Sequence, residues 1–252
     1  MLCGKRCLIT GSSQGIGLAA AAKMLEHGAS VVLTSERPRA DVPAIEPLLR
    51  HEKAHYIQAD LTRDHEAQFL LGEAGLLLGG LDVLVNNAGT FREPVFLELK
   101  PNHFDDIFRL NVWSALAVTQ EFVKLNESRG GRILFTTSLN ATRSEPGHTL
   151  YDASKAALSA LARQLAIELA PKGFTTAAIA PGLVETPLTD MGLRSDPKAR
   201  QQAIGQIPLK RIATVEDLAM WYVFLASDAA CYSTGSTFVI DGGLDAQQMA
   251  TL

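Results

Sequence analysis

The feature that most restricts the fold of this chain is a short apolar segment that runs directly into a glycine-rich loop. Residues 7–10 read as a buried strand, and residues 11–17 form the loop before an alanine-rich helix. Gly11 permits a tight turn, while Gly15 and Gly17 let the backbone approach a pyrophosphate and the helix pack on the strand. The N–H groups at the start of the helix attract phosphate. The sequence therefore predicts a dinucleotide site built from Gly11, Ser13, Gln14, Gly15, Ile16 and Gly17.

Three further apolar segments follow along the first third of the chain. Residues 29–34, 54–61 and 81–86 each read as a strand, and helix-like stretches separate them. Such alternation is typical of a parallel sheet with helices on both faces. A chain of 252 residues with 47% hydrophobic composition can bury a substantial core. We predict one doubly wound α/β domain of the Rossmann type over residues 1–252, with about seven parallel strands.

Composition and charge exclude several classes of protein. The net charge is −4 and the basic residues are scattered, so the chain lacks the electrostatic footprint of a nucleic-acid-binding protein. It has neither an apolar run long enough to span a bilayer nor room for a signal peptide before the first strand. Cys3, Cys7 and Cys231 do not have metal-binding spacing. We expect a cytoplasmic protein with no metal site, no nucleic-acid partner and no membrane anchor.

The end of the second strand is expected to meet the adenosine ribose of the dinucleotide. Glu36 is suited to the ribose hydroxyls of NAD, whereas Arg37 or Arg39 is suited to the 2′-phosphate of NADP. Because acidic and basic residues are both present here, the sequence does not decide between NAD and NADP. Asp60, followed by Leu61, ends the third strand, where it is placed either to accept from an adenine amino group or to lie in a surface loop.

Tyr151 and Lys155 carry the predicted chemistry. They stand four residues apart at the start of an apolar helix, which places them on one face about 5 to 6 Å apart. A nearby ammonium favours the phenolate, so Tyr151 is a candidate general acid and base. Ser138 follows a predicted strand and is a candidate to hydrogen-bond a substrate oxygen. Together they suggest carbonyl reduction or alcohol oxidation.

An ordered set of short motifs supports that chemistry. Thr10-Gly11-x-x-x-Gly15-Ile16-Gly17, Asn86-Asn87-Ala88-Gly89, Asn111, Ser138, Tyr151-x-x-x-Lys155 and Pro181-Gly182 follow one another along nearly the whole chain. In this order and spacing the set resembles the short-chain dehydrogenase/reductase family. The resemblance implies an enzyme that uses NAD(H) or NADP(H) to interconvert secondary alcohols and ketones.

The resemblance also implies roles for particular residues. Asn111 is expected to bend its helix and to hold a water that links Lys155 to solvent, which makes it the fourth catalytic candidate beside Ser138, Tyr151 and Lys155. Lys155 is expected to hydrogen-bond the nicotinamide ribose. Further cofactor contacts are expected from Asn87, Ala88, Gly89, Pro181, Gly182, Val184 and Thr186.

Two further expectations concern assembly and access to the site. The helices over residues 101–126 and 152–170 are apolar around most of their girth, and the resemblance implies that they pack against their copies in a homotetramer or dimer. Residues 187–211 mix apolar and charged residues without a clean period. They are interpreted as a substrate-binding lid, with a helical insert as the alternative.

The substrate is less constrained than the reaction. Candidates for substrate contact are the loop residues Asn140, Arg143, Glu145 and His148. Their polarity suits sugars, polyols or small hydroxy compounds. The alternative substrate is a 3-oxoacyl group on acyl carrier protein, for which Arg129, Arg132 and Lys172 are possible docking residues.

Two other activities fit the motifs less well. Enoyl reduction is disfavoured, because the enzymes of that subgroup place the lysine further from the tyrosine. A non-catalytic nucleotide-binding redox sensor does not require Ser138, Tyr151 and Lys155 together. The sequence therefore favours an oxidoreductase that acts on a secondary alcohol or ketone.

Overall fold

A computed structural model describes residues 1–189 and 196–247 of the chain. Its centre is a sheet of seven parallel strands in the order β3-β2-β1-β4-β5-β6-β7. The strands are β1 (Arg6–Ile9), β2 (Ser30–Ser35), β3 (Ala54–Gln58), β4 (Val83–Asn86), β5 (Gly131–Thr136), β6 (Phe174–Pro181) and β7 (Ser236–Ile240). The predicted doubly wound parallel sheet is confirmed.

Helices cover both faces of the sheet. They are α1 (Gly15–Glu26), α2 (Glu46–Leu49), α3 (Glu66–Leu78), α4 (Pro101–Phe108), α5 (Ser114–Leu125), α6 (Thr149–Leu169), α7 (Pro197–Gln206) and α8 (Val215–Ala226). Alternate residues of β1 point to opposite faces, as the pleat requires. Cys7 and Ile9 therefore pack with α1 and α8, whereas Leu8 packs with α3, α5 and α6. This two-sided burial explains why the strand segments read as continuous apolar runs.

The strand order reverses at β1, which pairs with β2 on one side and β4 on the other. In an open parallel sheet, the loops after two such strands diverge and leave a crevice at their carboxyl ends. The loop after β1 carries Gly11, and the loop after β4 carries Asn87. The topology thus brings together two motifs that are distant in sequence.

The helix predicted over residues 101–126 is not uniform. A π-helical segment, Arg109–Trp113, lies between α4 and α5 and contains the buried Asn111. Such bulges widen the turn and are frequent at functional sites. The sequence indicated a bend at Asn111 only through the family resemblance, because hydrophobic periodicity does not distinguish a π-helical turn from an α-helical one.

The predicted lid, residues 187–211, contains α7, and its end is held by the buried Ile207. Residues 190–195 of that prediction lie outside the described residues. Among the described residues, no helix is long and apolar enough to cross a membrane.

An ion pair joins the start of β1 to the residue before β4. Arg6 donates from Nε and Nη2 to the two carboxylate oxygens of Asp82 at 2.8 and 2.6 Å, and its backbone N–H also donates to Asp82 at 2.9 Å. Partial burial raises the pKa of Asp82, but the hydrogen bonds and charge of Arg6 outweigh it and leave the pKa below its usual value. The pair therefore fastens the central strands while Asp82 is ionised.

We expect Asp82→Asn to lower the free energy of unfolding by about 1 kcal/mol near neutral pH, since the pair is partly screened by solvent. Because the folded-state pKa is depressed, this stability is present above the unfolded-state pKa of about 4 and is lost as pH falls through the folded-state value. Urea unfolding at several pH values checks this. Asp64→Asn, which removes an exposed pair with Arg109, is the control. A deficit that does not shrink in acid would contradict the prediction.

Candidate active site

Three of the four catalytic candidates meet at the carboxyl end of β5. Ser138 follows this strand, and Tyr151 and Lys155 stand one turn apart at the start of α6. The Lys155 Nζ lies 5.7 Å from the centroid of the Tyr151 ring and donates to the backbone oxygen of Thr136 at 2.9 Å. The predicted spacing on one helical face is therefore observed, and the lysine is held by the strand that leads to Ser138.

Burial governs the protonation of this pair. It raises the pKa of Tyr151, and the Asp152 and Glu145 carboxylates raise it further, while the hydrogen bond with Ser138 acts in the opposite direction. Burial also lowers the pKa of Lys155 to about 8. From the sequence, the Lys155 ammonium was expected to lower the pKa of Tyr151. In the structure, burial has the larger effect and raises that pKa. Desolvation favours the neutral form of both groups, so Tyr151 is a protonated phenol that can donate.

Asn111, the fourth candidate, has partners for its buried amide. Its Nδ2 donates to the backbone oxygen of Thr90 at 2.8 Å and to Ser154 Oγ at 2.9 Å, while its Oδ1 accepts from the Thr90 N–H at 2.8 Å. A Cβ added to Gly89 would lie 3.1 Å from Asn111 Oδ1 and 3.5 Å from Lys155 Nζ. Asn111 and Lys155 therefore flank Gly89, and Asn111 fastens the loop that follows it.

A cleft of about 450 Å³ runs from the glycine loop to Tyr151. Most of the predicted cofactor contacts line it: Gly11, Ser13, Gln14, Gly15, Ile16, Glu36, Arg37, Asn87, Ala88, Gly89, Tyr151, Lys155, Pro181, Gly182, Val184 and Thr186. Leu188 and Thr189 of the predicted lid also line it, and lining residues that the sequence reasoning missed include Ser35, Thr90, Arg92, Leu110 and Thr137. The missed residues lie at or after strand ends, in loops or, for Leu110, in the π-helical segment, and they carry no motif of their own.

The close approach of two loops makes this cleft fit a dinucleotide. A Cβ on Gly11 would lie 2.7 Å from the Ala88 Cα, and one on Gly17 would lie 2.5 Å from Asn87 Nδ2. Asn87 Nδ2 in turn donates to the backbone oxygens of Thr10 and Gly11 at 3.1 and 2.9 Å. The absence of side chains at these glycines lets the loop after β4 pack directly on the glycine loop, and the start of α1 beside this contact is suited to a pyrophosphate.

Three predicted cofactor contacts do not line the cleft. Gly17 packs α1 against Asn87 instead, and Leu61 is part of the hydrophobic core. Asp60 accepts from the Thr62 N–H and hydroxyl at 3.1 and 2.6 Å and pairs with Arg63 at 3.0 Å. The Asp60 carboxylate thus has local partners in a turn after β3, as the alternative interpretation of a surface loop anticipated.

The adenosine end of the cleft is braced by the neighbouring strand. Tyr56 Oη lies 2.8 Å from Ser35 Oγ and donates to the backbone oxygen of Arg37, while Gln58 donates to the backbone oxygen of Glu36 at 3.0 Å. Glu36 and Arg37 line the cleft. Arg39 instead pairs with Glu46 through two contacts of 2.8 Å. Of the two arginines considered for a 2′-phosphate, the geometry therefore favours Arg37.

The candidate substrate residues surround Tyr151 without lining this cleft. Asn140 Nδ2 donates to Asp152 at 2.8 Å, and its backbone N–H donates to Ser138 Oγ at 3.1 Å. The ring of His148 lies edge-on to that of Tyr151 at 5.8 Å, and its Nδ1 is 3.1 Å from the Glu145 carboxylate.

Arg143 donates to the carboxylate and backbone oxygen of Asp245 at 2.7 and 2.8 Å, which ties the loop before α6 to the residues after β7. Each of the four substrate candidates thus has an intramolecular partner.

The fold and the cleft define a nucleotide-dependent oxidoreductase, and comparisons with known proteins specify its family. Residues 11–245 match a family model described as enoyl-(acyl carrier protein) reductase, of the short-chain type. The 3-oxoacyl-(acyl-carrier-protein) reductase of Aquifex aeolicus is 34% identical over 244 residues, which cover 96% of this chain and 97% of that protein.

Solved structures of dehydrogenases are also similar to this chain over nearly its full length. A putative short-chain alcohol dehydrogenase from Sinorhizobium meliloti is 32% identical, with a TM-score of 0.91 over 98% of each chain. A gluconate 5-dehydrogenase from Burkholderia cenocepacia, in complex with NADP and tartrate, is 28% identical, with a TM-score of 0.91 over 98% of this chain and 97% of that one.

The chain belongs to the short-chain dehydrogenase/reductase family. It is an NAD(P)-dependent oxidoreductase that interconverts a secondary alcohol and a ketone. The names of its relatives span acyl-carrier-protein reductases and dehydrogenases of alcohols and sugar acids. Family membership therefore defines the reaction class and leaves the substrate to be inferred.

We expect Gly11→Ala to be far more damaging than Gly4→Ala. Both glycines have positive φ angles, +59° and +76°, so each substitution carries the left-handed penalty of about 1–2 kcal/mol. Only at Gly11 does the added Cβ also collide with backbone, at Ala88, whereas nothing lies within 4 Å of a Cβ at Gly4. Gly11→Ala is therefore expected to lose at least about 2 kcal/mol more. Urea unfolding and NADPH titration measure both effects, and equal losses in the two variants would contradict the close approach.

Proposed function

We propose that Tyr151 is the general acid and base of this oxidoreductase and that Ser138 holds the substrate oxygen beside it. The observation that carries the proposal is the convergence of Ser138, Tyr151 and Lys155 at one end of the cleft that begins at the glycine loop. NAD(P) supplies or accepts a hydride at its nicotinamide C4 when bound. The side chains of the chain itself manage the proton and the orientation.

Each side chain has a distinct task in this scheme. Ser138 Oγ accepts from the Asn140 N–H at 3.1 Å and donates to Asn140 Oδ1 only at a long 3.5 Å, so its hydroxyl proton can turn to a substrate oxygen. Tyr151 gives a proton to that oxygen in reduction and takes it in oxidation. Lys155, held by Thr136, is placed to bind the nicotinamide ribose, and Asn111 supports a water path through which Lys155 exchanges protons with solvent.

We further propose small hydroxylated compounds as substrates, in preference to groups carried on acyl carrier protein. Polar side chains surround Tyr151, and a relative of this chain was solved with NADP and tartrate. The residues considered for carrier docking, Arg129, Arg132 and Lys172, lie at the amino ends of β5 and β6, on the edge of the sheet opposite the cleft. Their partners are Asn126, Asp228 and Glu127, respectively.

The second candidate, a 3-oxoacyl-(acyl-carrier-protein) reductase, is favoured by the names of several relatives at 33–34% identity over nearly the full chain. A substrate screen with NADPH or NADH that includes polyols, sugar acids and a 3-oxoacyl thioester distinguishes the two. Turnover of the thioester alone would favour this second candidate.

We expect Tyr151→Phe to reduce turnover by about 10² to 10⁴ while NADPH binding stays within about twofold, because only the proton donor is removed. Turnover is followed by nicotinamide absorbance and binding by fluorescence titration. Tyr232→Phe, at a fully exposed tyrosine, is the matched control. Retained turnover in Tyr151→Phe would exclude the acid–base role. A wild-type protein that binds NADPH but converts none of the screened substrates would instead favour the redox sensor.

We also propose that the chain forms a homotetramer. Two separate faces expose large apolar side chains. The first, the α5–α6 face, carries Trp113, just before α5, and Ile167, and the second, the α8 face, carries Met220 and Phe224. A dimer needs one self-complementary face, whereas a tetramer with two-fold symmetry needs two. The two faces therefore support a tetramer built from two kinds of dimer contact.

Light scattering is expected to give four times the chain mass of 27.1 kDa. Ile167→Glu and Met220→Glu should each reduce the assembly to dimers, because each places a charge in one apolar face. Leu76→Glu is a stringent control, since Leu76 is 81% exposed, more than Ile167 at 73%, but lies on neither face. A wild-type protein that is a stable monomer would exclude the proposal.

The remaining proposals concern access and location. Residues 187–211 are proposed as a substrate-binding lid of a single domain, because Pro187, Leu188 and Thr189 line the cleft while α7 buries none of its residues. A cytoplasmic location is proposed because Cys3, Cys7 and Cys231 are all free thiols.

A further inference from the structure

The first turn of α6 lacks a cap from its own sequence. The initial N–H groups of a helix have no partner within the helix, and a side chain just before the helix usually accepts from them. His148 occupies that capping position but makes no side-chain capping hydrogen bond. The N–H groups of Leu150 and Tyr151 therefore depend on a partner from elsewhere.

Glu93 is that partner. It lies in the loop after β4, and its two carboxylate oxygens accept from the Leu150 N–H at 2.7 Å and the Tyr151 N–H at 3.1 Å. A carboxylate at this position satisfies two donors and also compensates the positive end of the helix dipole. The contact spans 58 residues of sequence, and no local motif indicated it.

We propose that Glu93 is a positioning residue for the reaction: it clamps the first turn of α6 and so holds the Tyr151 phenol in line with Ser138. This rests on the proposed acid–base role of Tyr151. Tyr151 is the residue whose own N–H is held, so a shift of this turn moves the phenol directly. Ser138, by contrast, is placed by β5 and does not follow α6.

The loop that carries Glu93 is fastened to the site at two further points. Thr90 is bonded through both its N–H and its backbone oxygen to Asn111. The Phe91 ring packs edge-on against the Tyr151 ring at 6.3 Å and the His148 ring at 5.8 Å. Glu93 joins the same loop to the helix backbone. The loop therefore contacts Tyr151 twice, at its backbone N–H through Glu93 and at its ring through Phe91.

The opposite side of the same turn is held independently. Asp152 accepts from Asn140 Nδ2 at 2.8 Å and from the Glu145 N–H at 3.2 Å, which secures the loop before α6. Removal of Glu93 is therefore expected to loosen the start of α6 without unfolding the site. A misplacement of about 1 Å at a reacting group can cost up to about 10² in rate.

The test compares Glu93→Gln with Glu98→Gln, an exposed glutamate five residues later in the same connection. In Glu93→Gln, the amide nitrogen faces an N–H donor and cannot accept from it. We expect kcat to fall about tenfold or more, with NADPH affinity within about twofold. Hydrogen exchange of the backbone over residues 149–155, measured without cofactor, should accelerate. The control variant should match the wild type in all three measurements.

The pH profile separates positioning from general stability. Loss of a negative charge near Tyr151 favours its phenolate, so the tyrosine limb of kcat/KM is expected to move to lower pH in Glu93→Gln. Glu93→Asp keeps the charge but shortens the reach, so its kcat should fall while its pH limb stays in place. This variant keeps the proposal testable if Glu93→Gln does not fold.

Two results would overturn the proposal. One is a kcat within twofold of the Glu98→Gln control, whether or not exchange at residues 149–155 accelerates, since the clamp would then be structural only. The other is unchanged exchange over those residues. Failure of the proposed function is a separate outcome, because it appears as retained turnover in Tyr151→Phe.

Discussion

The structure depends on the close contact between the loops that follow β1 and β4. These strands are neighbours in the sheet, and their loops touch where the Gly11 backbone meets Ala88. Asn87 strengthens the contact by donating to the backbone oxygens of Thr10 and Gly11, and Thr10 Oγ1 accepts from the N–H groups of Asn87 and Ala88. Gly11, Ala88 and Gly89 form this part of the cleft wall. Because they have no large side chains, the space beside them stays open.

A series of hydrogen bonds links this contact to the reacting groups. The loop after β4 continues past Gly89 to Thr90, which Asn111 holds from the π-helical segment, and then to Glu93, which reaches the start of α6. The next strand, β5, supplies Thr136, which holds Lys155. Tyr151 and Lys155 are therefore fixed by two neighbouring strands of the sheet and not only by their own helix. This explains how a helix that begins without a local cap can carry the reacting side chains.

Much of the fold and part of the site could be predicted from the sequence, and the division has a physical basis. Strands buried on both faces read as apolar runs, and Tyr151 and Lys155 share a face because of helical geometry, so local pattern was enough for both. Glu93, Thr90 and Phe91 carry no pattern, because their roles arise from contacts with residues distant in sequence: 21 residues away for Thr90 and about sixty for Glu93 and Phe91. The prediction for Asp60 was ambiguous for the same reason: a strand-end acid has the same local sequence whether its partner is an adenine or Thr62.

The difference between the expected and observed protonation of Tyr151 follows from burial. Spacing alone indicated a charged lysine next to a phenol, and that arrangement lowers the pKa of the phenol. Spacing does not reveal that Lys155 is buried and Tyr151 partly buried, with Lys155 bonded to a neutral carbonyl oxygen instead of an anion. Desolvation then favours the phenol over the phenolate and the amine over the ammonium. A protonated Tyr151 is the form that ketone reduction requires, because the phenol must supply the proton to the substrate oxygen. Oxidation requires the phenolate, and the Lys155 ammonium, which a pKa of about 8 still leaves as the main form at neutral pH, is the positive charge that opposes the desolvation cost of forming it.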